Sequence, residues 1–209
     1  MADYAELYNA ILTGNAKKAE EVTKAAIAEK VDPRDLVQKY MIPAMDEVGK
    51  RFECNEYFVP ELLIAARAMK VSLELISPLL AAAGSEPVGR VVIGTVQGDL
   101  HDIGKNLVAS MLEGGGFEVV DLGVDVPPDR FVEAAKEKDG TIVALSALLT
   151  TTMTMMKTII EALDKAGIRQ RTKVMIGGAP ITQQYADEIG ADGYSDNASS
   201  AVALARKLA

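Results

Sequence analysis

The sequence predicts an α/β protein in which an N-terminal four-helix bundle precedes a flavodoxin-like (Rossmann-type) doubly wound parallel sheet of five strands. Three observations carry this reading. Residues 1–83 hold apolar positions at helical spacing and no convincing strand. Gly84-Ser85-Glu86-Pro87-Val88-Gly89 then reads as a linker, rich in residues that punctuate regular structure. Beyond it, over residues 90–209, short β-branched runs alternate with helical stretches five times, which is the pattern of a parallel sheet built from βα units. The expected organisation is a helical bundle over 1–83, a linker over 84–89 and a second domain over 90–209.

In the bundle, Leu7, Ile11 and Leu12 fit one short helix, and Ala19, Val22, Ala26 and Ile27 fit a second after the Gly14-Asn15 break. Asp32-Pro33 supplies an N-cap and a first-turn proline for a third helix running toward Phe52. Pro43 falls inside that pattern. It lacks the N–H that the helical ladder needs, so a kink or local break is expected near Met41. Pro60 opens a fourth helix with Leu63, Ala66, Val71, Leu75 and Leu79 on or near one face, and short connections favour antiparallel packing.

In the second domain, strands are predicted at Val91–Val96, Glu118–Leu122, Thr141–Ser146 and Val174–Ile176, with a short fifth at Gly193-Tyr194. Helices fall between them over 103–112, 128–138, 152–166, 182–189 and 198–208. The expected strand order is 2-1-3-4-5. In such sheets ligands bind beyond the carboxyl ends of the strands, where the loops after the first and third diverge. Those loops are 97–103 and 146–152.

Composition narrows the function. A formal net charge of -8 argues against nucleic acid, whose phosphates need a basic surface. Cys54 is the one cysteine, so an internal disulfide, a multi-thiolate zinc site and an iron–sulfur cluster are excluded. Met1-Ala2-Asp3-Tyr4 leads straight into a polar helical pattern unlike a signal peptide, and no apolar run approaches the ~20 residues of a membrane span. A cytoplasmic protein without a membrane partner is expected.

The first loop, Gln97-Gly98-Asp99-Leu100-His101-Asp102-Ile103-Gly104-Lys105-Asn106, contains the one histidine of the chain. Lone loop histidines are ordinarily surface residues. This one lies at the expected switch point, is flanked by glycines that permit close approach of a ligand, and has Asp99 two residues away to hold one ring nitrogen. A carboxylate on one nitrogen makes the other a better metal ligand. Other glycine-loop chemistries fit less well. Gly98 and Gly104 enclose five residues where a P-loop needs four, G-x-G-x-x-G is absent, and the third strand ends in Ser146 where a receiver domain wants aspartate.

Asp99-x-His101-x-x-Gly104, followed by Ser146-x-Leu148 and then Gly177-Gly178, resembles the three-part signature of B12-binding domains. Upstream, Val48-Gly49-Lys50-Arg51-Phe52 through Phe58-Val59-Pro60-Glu61 and Ala66-Arg67-Ala68-Met69-Lys70 is similar to the helical cap before the B12 domain of cobalamin-dependent methionine synthase. The small corrinoid subunits of methanol, methylamine and methoxyl-aromatic methyltransferase systems share that cap. The resemblance covers nearly the whole chain.

The resemblance implies a corrinoid (cobalamin) cofactor whose cobalt takes His101 as its lower ligand, with Asp99 as the histidine's hydrogen-bond partner. Thr152 stands where the family usually places a serine that continues this relay. Gly98, Leu100, Asp102 and Gly104 complete the first contact loop. Ser146 and Thr150 would touch the nucleotide tail and Leu148 would line its channel. Gly177 and Gly178 would let the tail pass close to the backbone, and Ala198 matches a backbone contact. From the cap, Phe52 and Val59 occupy the positions that shelter the upper cobalt face, and Gln38 stands where methionine synthase has a glutamate. Met153, Met155 and Met156 read as helix packing, Phe52 and Phe58 equally well as bundle core, and Cys54 as incidental.

The function implied is that of a methyl carrier. A donor-specific methyltransferase would load the cobalt, and a second methyltransferase would pass the group to tetrahydrofolate or a thiol such as coenzyme M. A reductive activator is a further expected partner. The alternative is the small cobalamin-binding subunit of an adenosylcobalamin-dependent isomerase, which shares Asp-x-His-x-x-Gly but does not need the cap. A B12-dependent regulator would want a basic DNA-binding helix pair, which the sequence lacks.

Overall fold

The computed structural model describes residues 4–84, 86–138 and 141–209; Met1-Ala2-Asp3, Ser85 of the expected linker, and residues 139–140 lie outside the described residues. The chain divides into two units, Met1–Pro87 with Glu113–Gly116, and Val88–Leu112 with Phe117–Ala209.

The first unit is helical: α1 (Ala5–Leu12), α2 (Ala16–Ala28), α3 (Pro33–Leu36), a π-helical turn (Val37–Met41), α4 (Ile42–Glu53) and α5 (Val59–Ala82). Short side chains cap the helix starts. Asn15 accepts from the Lys18 N–H at 3.1 Å, Asp32 accepts from the Arg34 N–H at 2.9 Å, and Glu61 reaches back to the Phe58 N–H at 2.9 Å. The break expected near Met41 takes the form of the π turn. There the Ile42 N–H reaches the Val37 carbonyl, and the widened ladder admits Pro43 at the start of α4 without a missing donor in mid-helix.

Leu7, Ile11, Leu36, Met41, Leu62, Met69 and Ile76 form fully buried parts of this unit. The buried face of α5 coincides with the one predicted at Ala66, with Val71 and Leu75 half-buried at its margin. It carries Leu62, Ala65, Ala66, Ala68, Met69, Ser72 and Ile76, whereas Leu63 and Leu79 are exposed. The helix is apolar over much of its circumference, so large residues do not mark the inward stripe. Alanines do, because they let α2 and α5 approach, and in that seam the Thr23 hydroxyl donates to Ser72 Oγ at 3.0 Å.

The second unit alternates β1 (Arg90–Thr95), α6 (Ile103–Gly114), β2 (Glu118–Asp121), α7 (Pro128–Lys136), β3 (Ile142–Ser146), α8 (Thr154–Lys165), β4 (Lys173–Gly177), α9 (Gln183–Ile189), β5 (Gly193–Tyr194) and α10 (Ala198–Leu208). All strand pairs are parallel and the order is β2-β1-β3-β4-β5, the order expected. The central strands are apolar on both faces because helices cover both. Mid-strand Gly94 makes room for the fully buried Phe131 of α7, since a Cβ there would lie 2.8 Å from the ring. Among the described residues no helix is long and apolar enough to cross a membrane.

Register positions the site. Thr95 pairs with Ser146, and Ser146 pairs with Gly177. The last residues of β1, β3 and β4 therefore stand side by side, and the three signature loops leave from one edge of the sheet.

Candidate functional site

The first loop begins with a tight turn. The Asp99 N–H returns to the Val96 carbonyl at 3.1 Å, and Gly98 between them has φ +84°. That is the left-handed region, which favours glycine at the third position of a four-residue turn. The turn drives the Asp99 carboxylate inward, where it is fully buried. Oδ1 accepts from the His101 ring Nδ1 at 2.7 Å and from the His101 N–H at 3.1 Å. Oδ2 accepts from the Thr152 hydroxyl at 2.7 Å and from the N–H groups of Leu148 and Leu149 at 2.8 and 3.3 Å. Five donors thus converge on one side chain, which joins the first loop to the loop after β3.

The charge state follows. Burial pushes the Asp99 carboxyl up, but bonds from Thr152, Leu148, the His101 ring Nδ1 and the His101 backbone N–H outweigh it and hold it well below the usual carboxylate range. An ionised carboxylate has no proton to give, so the Nδ1–Asp99 hydrogen belongs to the imidazole. With Nδ1 committed to Asp99, Nε2 is the ring nitrogen left to meet a ligand. Among the described residues Nε2 has no hydrogen-bond partner, and the His101 side chain is 52% exposed. Thr95 holds the loop from below, its buried hydroxyl donating to the His101 carbonyl at 2.9 Å.

Around His101 the surface is unusually apolar. Leu100 is 71% and Ile103 83% exposed, and Leu148, Leu149 and Val124 are also open. Asp102 begins α6, its carbonyl accepting from the Asn106 N–H at 2.7 Å. Gly104 lies in the first turn of that helix with nothing within 4 Å of where a Cβ would stand. Glycine in a helix costs up to about 1 kcal/mol relative to alanine, and nothing in the protein itself requires it here. An open cradle beside a free Nε2 fits a flat apolar ligand carrying a metal. Among the described residues no three His, Cys, Asp or Glu side chains could hold a metal ion, so a single imidazole suits a metal whose other ligands come with the cofactor.

Ser146 is half-buried at the end of β3 and Thr150 exposed beyond it. Gly177 ends β4; its Cβ would press on the Ser195 carbonyl at 3.2 Å. Gly178, at φ +134°, is demanded by the protein: a Cβ would overlap the Ala147 carbonyl oxygen. Ala198 is buried at the start of α10, which Asn197 caps by accepting from the Ser200 N–H at 2.8 Å. In the first unit, Gln38 is exposed on the π turn, Phe52 half-buried and Val59 exposed at the start of α5. Phe58 is 60% exposed, which removes it from the bundle core. Met156 is fully buried and Met153 and Met155 pack beside it, as expected of helix packing.

Two family models, each described as a B12 binding domain, match residues 89–203 and 4–77. The chain belongs to the B12-binding family. The trimethylamine corrinoid protein 1 of Methanosarcina acetivorans is 48% identical over 206 residues, 98% of this chain and 95% of that one. Among solved structures, a cobalamin-binding protein from Desulfitobacterium hafniense matches with a TM-score of 0.81 at 34% identity, covering 100% of both chains. The methanol:cobalamin methyltransferase complex MtaBC of Methanosarcina barkeri matches with a TM-score of 0.83 at 31% identity, over 95% of this chain and 76% of that one. The B12-binding family uses a corrinoid cofactor, which is the ligand that the free nitrogen and the apolar cradle fit.

Sequence reasoning missed several residues that shape the loop. Asp125 accepts from the Gly98 N–H at 2.7 Å, and its own N–H donates to the Asp99 carbonyl at 3.0 Å. Buried Lys105 reaches Asp121 Oδ2 at 2.5 Å and Asn106 Oδ1 at 2.6 Å, fixing the start of α6 to the end of β2. Lys105 and Asn106 were visible as continuations of the glycine loop. Asp125 carried no signal beyond that of a turn residue.

Proposed function

We propose that the chain is a methyl-carrying corrinoid protein, loaded by a donor-specific methyltransferase and unloaded by a second one onto tetrahydrofolate or a thiol. When bound, the corrinoid supplies a cobalt that accepts a methyl group from one substrate and yields it to another. The observation that carries the reading is the Asp99–His101 pair, with one ring nitrogen committed to a buried carboxylate and the other free at an apolar surface.

His101 would hold the cobalt through Nε2. Asp99 fixes the tautomer and increases the donor strength of the ring, and Thr152 with the Leu148 and Leu149 N–H groups keeps Asp99 ionised and stationary. Asp99, 2.7 Å from Nδ1, would keep the ring oriented with Nε2 toward the metal. The exposed Leu100, Ile103 and Leu148 would exclude water from the cofactor, and Gly104 would admit it. Ser146, Thr150, Gly177, Gly178 and Ala198 would receive the nucleotide tail.

The match of a second B12-binding model to residues 4–77 favours the carrier over an isomerase subunit, which does not need that segment. The relatives named for di- and trimethylamine make N-methyl groups the first donors to test. A reductive activator and a cytoplasmic setting complete the proposal. In the test, the corrinoid-loaded protein is incubated with methylated amines and an acceptor, with and without two methyltransferases. Multiple turnovers are expected only with both present. Sustained turnover by this chain alone would contradict a carrier role.

A further inference from the structure

Outside the three signature loops, Asp125 is a residue in a costly conformation next to the site. It lies in Gly123-Val124-Asp125-Val126-Pro127, after β2, with φ +52°. A non-glycine residue there is uncommon, although Asp and Asn tolerate the left-handed region better than other side chains. Such strain persists where surrounding contacts over-determine it. Here they do. Leu122 N–H bonds to the Ile93 carbonyl at 2.8 Å, Thr95 N–H to the Gly123 carbonyl at 3.0 Å, and Val126 N–H to the Thr95 carbonyl at 3.0 Å. The segment is thereby laced to the end of β1.

That lacing aims Asp125 at the turn that begins the histidine loop. Its carboxylate takes the Gly98 N–H at 2.7 Å, and its N–H takes the Asp99 carbonyl at 3.0 Å. One residue thus holds the two peptides that flank the Gly98–Asp99 pair, Gln97–Gly98 by its N–H and Asp99–Leu100 by its carbonyl. Displacement of either flanking peptide would move the Asp99 backbone and side chain, and with them the partner of His101 Nδ1. We infer that Asp125 is a positioning residue for the cobalt ligand: it clamps the backbone on either side of the Gly98–Asp99 pair so that Asp99 presents His101 at a fixed angle. This rests on His101 being the ligand, as proposed above.

Three substitutions separate the elements of the clamp. Asp125→Asn keeps an acceptor oxygen and tolerance of positive φ. Asp125→Gly relieves the backbone but removes the acceptor, and Asp125→Ala removes the acceptor while keeping the strain. Two readouts apply: amide hydrogen exchange at Gly98 in the cofactor-free protein, and the visible spectrum of the corrinoid-loaded protein, which reports whether an imidazole lies below the cobalt. Expected are exchange about tenfold faster at Gly98 and about tenfold weaker histidine ligation in the Gly and Ala variants, the low end for changes behind a metal ligand. The Asn variant should stay within about twofold of wild type on both. A Gly variant indistinguishable from wild type, or an Asn variant as impaired as Ala, would overturn the inference. If Asp125→Ala does not fold, the Asn and Gly pair decides. His101→Ala is the control: if its spectrum equals that of wild type, the ligand assignment fails, whereas Gly98 exchange still tests the clamp.

Discussion

Asp99 takes five hydrogen bonds because its buried carboxylate stands at the junction of two loops whose donors point inward. Its pairing with His101 was legible, because two residues of separation limit where a carboxylate can go. Its bonds to Leu148, Leu149 and Thr152 were only partly so. They depend on how a loop some fifty positions away folds back, which strand register decides and local spacing does not. Gly104 offers the sharpest residue-scale test. Since nothing occupies the space beyond it, Gly104→Leu should leave the melting temperature of the cofactor-free protein unchanged or raised, because glycine is the weaker helix former. The same substitution should weaken corrinoid retention by about tenfold or more, equivalent to about 1.4 kcal/mol or more. Thermal melts and gel-filtration retention check both halves. Lost stability with intact retention would mean that the space serves the fold and not a ligand.

Elements were easier to read than the faces they bury. Pro43 marked the break in the third helical pattern because a missing N–H is an absolute constraint; that the break is a π turn was not readable, since proline excludes one geometry without choosing among others. The α5 face was only partly legible: Ala66 lies on it, but Leu63 and Leu79 do not, because close helix approach selects small side chains. The Thr23–Ser72 bond lies in that seam. Ser72→Ala should cost about 1–3 kcal/mol by leaving a buried hydroxyl without its partner, and adding Thr23→Val should recover part of the loss. A double-mutant cycle in urea measures the coupling, and strict additivity would show that the bond contributes nothing. In the second unit, Tyr185 of α9 donates its hydroxyl to the Met153 carbonyl ahead of α8 at 2.9 Å. Burial, then the charge of Glu188, raises its pKa above the ordinary tyrosine value. A raised folded pKa means that this contribution is complete below the unfolded value near 10 and is lost as pH rises through the folded one. Tyr185→Phe should therefore lose stability at neutral pH and show a flatter decline above pH about 10 than wild type. Parallel declines would exclude Tyr185 as a source of the alkaline loss.

At the scale of the whole molecule, the strand order was legible because the chain alternates strands and helices without a long unexplained loop, and parallel crossovers leave few arrangements. That order points to the candidate site, since loops after β1 and β3 diverge at the end of the sheet where Thr95, Ser146 and Gly177 align. The clamp from the loop after β2 was not legible, because Asp125 acts through backbone geometry that an aspartate in a turn does not announce. His101 is proposed above as the protein's ligand to a corrinoid cobalt. The most direct measurement is the electron paramagnetic resonance spectrum of the Co(II) form, prepared with protein uniformly labelled with nitrogen-15 and an unlabelled corrinoid. Superhyperfine splitting reports the nuclear spin of the axial nitrogen, and the chain contains one histidine. The account predicts that each triplet given by unlabelled protein becomes a doublet in the labelled one. A triplet that persists on labelling would show that the axial nitrogen does not come from the protein, and would contradict the account.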